Sequence, residues 1–537
     1  MAQEERVFTR KATGLVRELS VSHLVGFNLT NTTPGLGIMY ITSSMFLFSG
    51  GSALLATIIT FLGFVSLGLI YAMVVAAMPR SGGDYVFVSR TLSPPVGFVL
   101  NLTLTFWVLY FSGLFLDWVV TTGLNPLFSV MGSVLGLSGL TSLATTIVQP
   151  VWVIVIAIVM VLIVATLAYR STRILMSVFN VVIGIAVLSS IVTLLYLLVS
   201  SHAAFVAGFN SFSQPFAHTS NYYGEILSLA RRHGWNPSAQ TGFAATWGIV
   251  PLASWTFLYI AAQAIAGGEV KRPQRSSFQA IYWTFGFVAG IVLIGLVGIG
   301  HSISNNFINA ANFVAVNDPK DWLLPSSPSY NFLASLLSRN VVILLLMNIG
   351  YAAWNVAVVV MNYIWVPRYL LAAAVDGILP EKLGYVSERT HTPVVGILIT
   401  AVGSLIMLVI YSQYATVLAS LSALLGEIVG AYLLVSLAAI IFPYTRRTRH
   451  IYETSPIRRD VAGVPLITIL GTISFLFTGA VGLTFALNAD YGVNAPSSLI
   501  GVVAVPVAAL LIYLVSFLVH RARGSDLGLA FRELPPE

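Results

Sequence analysis

The sequence contains no cysteine, and only 8% of its 537 residues are charged. The missing cysteines exclude a disulfide framework and every metal site that needs a cysteine ligand. Soluble domains carry about 25% charged residues, so the scarcity of charge excludes a disordered chain and a nucleic-acid-binding protein with a basic surface. Hydrophobic residues make up 57% of the chain, which predicts one large domain within a membrane.

Long apolar segments run through the whole sequence. A membrane helix needs about 20 mostly apolar residues, and strands of a membrane barrel would instead alternate in polarity over about 10 residues. The pattern therefore predicts an all-α integral membrane protein with twelve helical spans. These spans lie at 24–48, 52–78, 96–123, 150–169, 174–200, 242–266, 277–300, 340–366, 394–411, 415–442, 463–487 and 498–520.

The basic residues lie between the spans and set the predicted orientation. With the N-terminus in the cytoplasm, 22 of the 26 lysines and arginines fall on inner segments, and the four others are Arg231, Arg232, Lys320 and Arg339. Because positive charge accumulates on the cytoplasmic side, we expect a multi-pass cell-membrane protein with both termini cytoplasmic. The first 22 residues lack the apolar core of a signal peptide and are expected to form a cytoplasmic tail.

The first span carries a polar segment, Asn28–Gly37, at membrane depth. Pro34 removes a backbone donor and clashes with the preceding turn, and Gly35 and Gly37 favour unwinding. Backbone groups freed in this way are tolerated in a bilayer only where they line a cavity or pack within the protein. Transporters use such breaks to bind ions and substrates, so we predict a binding site here; the alternative is a packed proline kink.

The sixth span is the expected counterpart of the first. Inverted-repeat transporters carry a second broken helix five spans after the first, and the segment Thr246–Tyr259 holds Gly248, Pro251 and three serine or threonine hydroxyl groups. Its break is less obvious than the one at Pro34, because no glycine or proline lies between Pro251 and Gly267.

Three segments on the predicted cytoplasmic side carry a family resemblance. Pro79–Arg90 reads PRSGGDYVFVSR, Gly268–Pro273 reads GEVKRP, and Arg368–Pro380 reads RYLLAAAVDGILP, with Thr392–Pro393 opening the ninth span. In this order and between these spans they resemble the amino acid–polyamine–organocation (APC) transporter superfamily, of the amino acid permease type. The resemblance covers nearly the whole chain.

The resemblance implies a LeuT-type fold, in which spans 1–5 and 6–10 form an inverted 5+5 repeat and helices 1 and 6 are discontinuous. The implied division is an N-terminal tail at 1–22, a first repeat at 23–200, an extracellular loop at 201–241, a second repeat at 242–442, peripheral helices at 463–520 and a cytoplasmic C-terminal tail at 521–537. Tyr330–Leu337, in the second long loop, is expected to be a short amphipathic helix.

The resemblance also implies a substrate site between the two breaks. The amides of Gly35, Leu36 and Gly37 would hold a carboxylate, and the carbonyl of Thr33 would accept from an amine. This agrees with the physical chemistry, because a zwitterion needs an N–H cluster for its carboxylate and acceptors for its ammonium group. Thr32 beside the break and Ser112 in the third span complete this half of the site.

The second half of the implied site lies on the sixth span. Trp255 falls where some family members have an aromatic gate over the substrate, and ordinary helix packing is the alternative. Leu258 falls where a carbonyl caps the amine. Tyr259 replaces a glycine that is usual in the family, which changes the expected size of the pocket.

Two carboxylates lie inside predicted spans, Asp117 in the third and Glu427 in the tenth, and no lysine or arginine lies well inside any span. Intramembrane charge is costly and is a functional hypothesis by default. Both residues are therefore candidates to carry a proton in a coupled transport cycle. The alternatives are a hydrated vestibule residue for Asp117 and a neutral or hydrogen-bonded structural acid for Glu427.

The sequence disfavours sodium coupling. In this fold sodium commonly binds hydroxyl groups of helix 8, and the eighth span offers only Asn348, Asn355 and Asn362. A lysine in helix 5 replaces sodium in some family members, and the fifth span has only Asn180 at a polar position. Proton coupling, exchange and facilitated diffusion remain, and no metal or cofactor is expected.

We therefore predict a secondary active transporter of amino acids that works by alternating access, as a proton symporter or an exchanger. The lack of an intramembrane cation disfavours acidic substrates, so neutral or cationic amino acids are favoured. The alternatives are a polyamine or organic amine transporter, and an amino acid sensor that does not transport. An enzyme is disfavoured because all eight histidines lie in loops or at span ends and no H-E-x-x-H motif is present.

Overall fold

The computed structural model describes residues 19–238, 241–259, 262–414, 417–494, 496–532 and 534, and these form helices joined by turns and loops, with one short hairpin. The helices are α1 (Val21–Thr32), α2 (Pro34–Ser44), α3 (Ala53–Ala77), α4 (Gly83–Thr91), α5 (Pro94–Trp118), α6 (Asn125–Leu135), α7 (Ser138–Ile147), α8 (Pro150–Arg170), α9 (Thr172–Val199), α10 (His202–Ala217), α11 (Tyr222–Arg232), α12 (Gly242–Leu258), α13 (Ala262–Ile265), α14 (Pro273–Ser302), α15 (Asn305–Asn317), α16 (Tyr330–Ser335), α17 (Val341–Val375), α18 (Val394–Tyr414), α19 (Val417–Glu427), α20 (Leu433–Ile441), α21 (Arg449–Thr454), α22 (Leu466–Leu487) and α23 (Pro496–Ala522).

The hairpin pairs β1 (Asp460–Val461) with β2 (Val464–Pro465) in antiparallel register, with Val461 opposite Val464. It lies between α21 and α22. Its two strands hold two residues each, so it is a local turn between helices and adds no sheet layer.

In the described residues, 11 helices are long and apolar enough to cross a membrane. The first predicted span differs, because 24–48 is divided into α1, α2 and a 3₁₀ turn at Met45–Phe48. The third span is longer than predicted and continues through a π-helical turn at Val119–Leu124 into α6. The chain is thus an all-helical, multi-pass membrane protein.

The two long outer segments contain helices of their own. Segment 201–241, predicted as a loop, holds α10 and α11, and segment 301–339 holds α15 and α16. The polar composition of these segments hid the helices, although α10 buries Phe205, Phe209 and Phe212 at a helical spacing that the sequence does show. Tyr330–Ser335 is helical, as expected for the start of Tyr330–Leu337.

The packing places α12 and α17 at the centre. Helix α17 packs against α5, α9 and α18, while α12 packs against α2 and α3. Among the spans, α23 is the least buried, and it exposes residues such as Ile500 and Leu511. Apolar side chains that face outward in this way suit contact with lipid, whereas α12, whose residues from Gly248 to Leu258 are buried, is positioned to carry a site.

Candidate substrate site

The first helix is interrupted at Thr33, where its proline predicts a break. Thr33 adopts φ 35° and ψ 67°, a left-handed conformation that is uncommon for a residue with a side chain. Pro34 disfavours the α conformation in the residue before it and then serves as the first residue of α2. The sequence thus ends one helix and starts the next within two residues, in the buried interior.

The backbone amides at this break are not equivalent. The Thr33 N–H donates to the Leu29 carbonyl at 2.8 Å, and the Gly37 N–H donates to the Thr33 carbonyl at 2.8 Å. The N–H groups of Gly35 and Leu36 have no hydrogen-bond partner among the described residues. Of the three amides that the sequence implied for a carboxylate, two are therefore available at the N-terminus of α2, where the helix dipole favours an anion.

Most polar side chains before the break bind their own helix. Thr30 donates to the Gly26 carbonyl, Asn31 to Phe27 and Thr32 to Asn28, each at 2.9 Å. The Thr32 hydroxyl proton is thus already engaged. By contrast, the Thr33 hydroxyl is buried and has no partner among the described residues.

A hydrogen bond links the two interrupted regions. The backbone N–H of Gln263, in α13, donates to the Asn28 side-chain oxygen in α1 at 3.3 Å. Both polar atoms of the buried Gln263 amide, and the Asn28 side-chain nitrogen, lack partners in the described part of the chain. Sequence reasoning missed Gln263, whose signal was an isolated amide in an otherwise apolar segment.

The sixth predicted span, 242–266, matches a candidate membrane span at Gly242–Ile265 and contains an irregular turn. Helix α12 ends at Leu258, Tyr259 lies in a 3₁₀ turn, and Ala262–Ile265 is helical again, with 260–261 outside the described residues. Leu258 and Tyr259 are both buried. The end of α12 lies seven residues after Pro251, so the proline itself stays within the helix.

Five buried aromatic side chains, called here the aromatic cluster, join α2, α5 and α12. Trp255 stacks on Tyr40 with ring centroids 4.8 Å apart and meets Phe111 edge-on at 4.9 Å. Phe115 and Tyr259 lie 6.2 and 5.7 Å from Trp255. Such offset and edge-on pairs are favourable beyond their burial, and they hold the Trp255 ring of α12 between α2 and α5.

The two glycines of the first break admit close neighbours. A Cβ at Gly37 would overlap the hydroxyl of Thr256 in α12, and a Cβ at Gly35 would lie 2.9 Å from the indole nitrogen of Trp354 in α17. The resemblance gave both glycines the role of a carboxylate turn. The contact with Thr256 gives Gly37 a packing role as well, because only a residue without a side chain lets α2 approach α12 this closely.

Ser112 connects two helices at the edge of this region. Its hydroxyl donates to the Val108 carbonyl at 3.0 Å and accepts from the Asn362 amide at 2.7 Å. Ser112 therefore ties α5 to α17. Asn348 is likewise held by Ser335 at 2.9 Å, whereas the side-chain oxygen of Asn355 has no partner among the described residues.

The two intramembrane carboxylates lie in different surroundings. Glu427 is fully buried at the end of α19, and neither of its oxygens meets hydrogen-bond geometry with a described residue. The tyrosines that interact with it are Tyr71, Tyr259 and Tyr432. Tyr259 thus connects Glu427 to the aromatic cluster.

Asp117 is only partly buried, near the end of α5, and accepts a hydrogen bond from the Thr121 hydroxyl at 3.0 Å. A π-helical turn begins at Val119, shortly after Asp117, and another begins at Ile428, directly after Glu427. Such turns occur frequently at functional sites, and sequence patterns gave no signal for them.

The three segments that carry the family resemblance meet at one end of the bundle, called here the inner end. Arg368 binds Glu269 through two hydrogen bonds of 2.6 and 3.0 Å, and Arg90 binds Asp376 at 2.6 and 2.7 Å. The Tyr85 hydroxyl also donates to Asp376, at 2.7 Å. All five side chains are buried, so these motif residues fasten α4, α17 and the 3₁₀ turn Gly267–Glu269 after α13 together.

Within the described residues, no group of three or more histidine, aspartate or glutamate side chains is arranged to hold a metal ion. The site thus consists of interrupted backbone, hydroxyl and amide groups, aromatic rings and one buried carboxylate. Such a set suits reversible binding of a small polar molecule.

Comparison with known families agrees with this geometry. A family model described as amino acid permease matches residues 20–509, which include both interrupted helices, the aromatic cluster and Glu427. No curated protein gives a significant match. The family match confirms the resemblance to APC transporters that the three inner-end segments carry, and the chain therefore belongs to the amino acid permease family.

Proposed function

We propose that the chain is a secondary active transporter that moves amino acids across the cell membrane by alternating access. The observation that carries this proposal is the pair of interruptions, at Thr33 and after Leu258, which the hydrogen bond between Asn28 and Gln263 joins. Irregular backbone at membrane depth is tolerated where it lines a binding cavity. Membership of the permease family supports the same function.

The architecture that we propose has twelve spans, with α1 and α2 together as the first and α12 and α13 together as the sixth. The two interrupted spans would open the two halves of an inverted 5+5 repeat, with α22 and α23 outside it. The distribution of basic residues supports cytoplasmic termini, which makes the inner end the cytoplasmic end.

The chemistry of the break fits an α-amino acid. The free N–H groups of Gly35 and Leu36, at the N-terminus of α2, would receive the carboxylate. The Thr33 hydroxyl and the Leu258 carbonyl would accept from the ammonium group. Because these groups are buried, they bind substrate out of contact with water, where charge-assisted hydrogen bonds are strong. Trp255 would cover the bound substrate.

We assign proton coupling to Glu427. We assign the substrate to the neutral or cationic amino acids. Glu427 is a buried carboxylate with no basic partner among the described residues, so it is suited to bind and release a proton during each cycle. No lysine or arginine lies among the site residues named above, and a second substrate carboxylate would therefore lack a counter-charge.

A transporter of polyamines or other organic amines is the second candidate. Such a substrate has no carboxylate, so it would leave the Gly35 and Leu36 amides unpaired in a buried site. That cost of about 1–3 kcal/mol for each unsatisfied group favours the amino acid. An amino acid sensor, the third candidate, would bind without transport.

Counterflow in proteoliposomes tests the proposal. Vesicles loaded with one unlabelled amino acid are diluted into its labelled form, and the experiment is repeated for the twenty amino acids and for putrescine. Counterflow with neutral or cationic amino acids is expected, whatever the coupling ion. Counterflow with putrescine alone would favour the amine transporter. Binding, seen as a thermal shift, without any counterflow would favour the sensor.

A further inference from the structure

Asp84, at the inner end, is a buried carboxylate that the proposed transport mechanism does not yet use. It lies in α4 and is about 1% exposed. The Tyr369 hydroxyl donates to its two oxygens at 3.0 and 2.8 Å, and the Tyr85 N–H donates to it at 2.9 Å.

Asp84 has no basic partner among the described residues. The two arginines buried at this end are engaged elsewhere, Arg90 with Asp376 and Arg368 with Glu269. Burial outweighs the hydrogen bonds and raises the pKa of Asp84 from 3.8 to about 6. Asp84 lies outside the membrane-spanning helices, next to the motif segments, and is thus able to exchange protons near physiological pH.

Two tyrosines lie between Asp84 and Glu427. The Tyr71 side chain, on α3, interacts with both carboxylates, and so does that of Tyr432, in the π-helical turn after Glu427. The two rings meet edge-on with centroids 6.5 Å apart. These two tyrosines therefore bridge a carboxylate within the membrane and a carboxylate at the inner end.

The polar atoms of this bridge face one another without meeting hydrogen-bond geometry. The hydroxyl groups of Tyr71, Tyr259 and Tyr432 and both oxygens of Glu427 are buried and lie outside hydrogen-bond geometry to any described residue, although the Tyr259 hydroxyl interacts with Glu427 and the Tyr71 hydroxyl with Asp84. An unsatisfied buried polar group costs about 1–3 kcal/mol. Because a purely structural core would avoid several such groups in one place, the cluster calls for a functional explanation.

We propose that Glu427, Tyr71, Tyr432 and Asp84 form a proton path from the substrate region to the inner end. The proposal rests on the role of Glu427 in the proposed function. Protonated Glu427 gives its proton to a tyrosine hydroxyl while that hydroxyl passes its own proton on toward Asp84. One proton moves, both tyrosines finish neutral, Glu427 finishes as a carboxylate and Asp84 as a carboxylic acid. Asp84 then releases the proton at the inner end.

Tyrosines are the titratable groups that surround the two carboxylates of the path. Glu427 faces tyrosines from α3, from the end of α12 and from its own π-helical turn, and Asp84 faces Tyr71, Tyr369, Tyr432 and its neighbour Tyr85. Tyr369 holds the Asp84 carboxylate through its hydroxyl and is a positioning residue. No cation lies among these groups in the described chain, so protons are the charge that they are able to exchange.

Proteoliposomes with a pH-sensitive dye inside test the path. Substrate exchange, which needs no net proton movement, is measured beside proton-driven uptake and internal acidification. Asp84→Asn and Tyr71→Phe are expected to keep exchange but to slow substrate-coupled acidification about tenfold or more, as expected for the loss of a proton-transfer group. Tyr363→Phe is the matched control, because this buried tyrosine of α17 faces Ser404 of α18 and lies outside the path.

The outcomes separate the path from the proposed function. If Glu427→Gln stops acidification while Asp84→Asn and Tyr71→Phe acidify at the wild-type rate, the path is overturned and coupling through Glu427 stands. If wild-type protein takes up substrate without acidification, both proton coupling and the proton path are contradicted. If Asp84→Asn fails to fold, as judged by loss of the substrate-induced thermal shift, Tyr71→Phe and Tyr432→Phe decide the question.

Discussion

Arg90 of α4 and Asp376, which directly follows α17, form a two-pronged ion pair with nitrogen–oxygen distances of 2.6 and 2.7 Å. Both side chains are buried, and the ring of Phe531 covers the guanidinium group, with 4.8 Å between its carbon and the ring centroid. Leu527 and Phe531 belong to a buried 3₁₀ turn beyond α23. The pair thus fastens α4, the end of α17 and the segment after α23 at a single point.

Removal of one partner is predicted to destabilise the protein strongly. Asp376→Asn removes the negative charge that Arg90 binds through two short hydrogen bonds, and breaking a buried pair in this way costs about 3–5 kcal/mol in comparable proteins. The measurement is the midpoint of thermal unfolding of the protein in detergent. Glu453→Gln is the control, because Glu453 and Arg449 form an exposed pair one helical turn apart, and such pairs contribute little. An unchanged midpoint for Asp376→Asn would show that the inner end is hydrated.

Gly37→Ala is predicted to impair folding or transport through a collision with Thr256. The added Cβ would overlap the Thr256 hydroxyl, so α2 and α12 would have to separate. The double variant Gly37→Ala with Thr256→Ala removes the colliding atoms and should restore much of the lost counterflow. Gly290→Ala is the neutral control, since a Cβ at Gly290 meets nothing within 4 Å.

This pair of variants separates two roles of Gly37. If the double variant remains inactive although its thermal midpoint recovers, Gly37 serves the substrate carboxylate directly, as the family resemblance implies. If activity and midpoint recover together, Gly37 serves helix packing, and the carboxylate site rests on Gly35 and Leu36.

The local parts of this site could be predicted from the sequence. Pro34 placed the first break correctly, because a proline restricts the residue before it and lacks a donor whatever its surroundings. The apolar run around Glu427 likewise predicted a carboxylate inside the membrane. Both inferences needed only neighbouring residues.

The non-local parts could not be predicted. Gly37 faces Thr256, Asn28 accepts from Gln263, and Tyr71 lies between two carboxylates. Each relationship depends on how helices distant in sequence pack, which span-by-span reasoning does not specify. Sequence reasoning therefore treated Gly35, Leu36 and Gly37 as one turn, although the Gly37 amide is engaged within the helix.

Trp255→Ala is predicted to weaken substrate binding. The substitution removes the ring that stacks on Tyr40 and faces Phe111, so the proposed cover of the site is lost. We expect the KM of uptake to rise about tenfold, which corresponds to about 1.4 kcal/mol of binding energy. Trp255→Phe should retain most of the affinity.

Trp247→Ala is the control for Trp255. Trp247 lies on the same helix, and its indole N–H donates to Thr484 of α22 at 2.9 Å, so its role is to hold two helices together. The Trp247→Ala variant is expected to have a lower unfolding midpoint with little change in the KM of uptake. Equal KM changes in both alanine variants would assign Trp255 to packing alone.

Asp84 is predicted to make stability depend on pH. Burial raises its pKa from 3.8 to about 6, so the folded protein binds this proton more tightly than the unfolded chain. The contribution of this proton to the free energy of unfolding is therefore fully present below about pH 4. About 3 kcal/mol of it is lost as the pH rises to about 6 and above. Unfolding midpoints of wild type and Asp84→Asn are compared between pH 4 and 8, and the difference between the two curves should change across that window. Parallel curves would contradict a buried, unpaired Asp84.

Glu427→Gln is predicted to separate accumulation from exchange. Glutamine keeps the size and polarity of the side chain but cannot bind and release a proton, so uptake driven by a pH gradient should be lost while counterflow continues. Asp117→Asn is the comparison, because Asp117 is only partly buried and is bonded to Thr121, and this variant is expected to retain accumulation. The reverse result would move the coupling to Asp117, near the end of α5. Loss of counterflow in Glu427→Gln would instead give Glu427 a direct role in binding the substrate, through Tyr259 and the aromatic cluster.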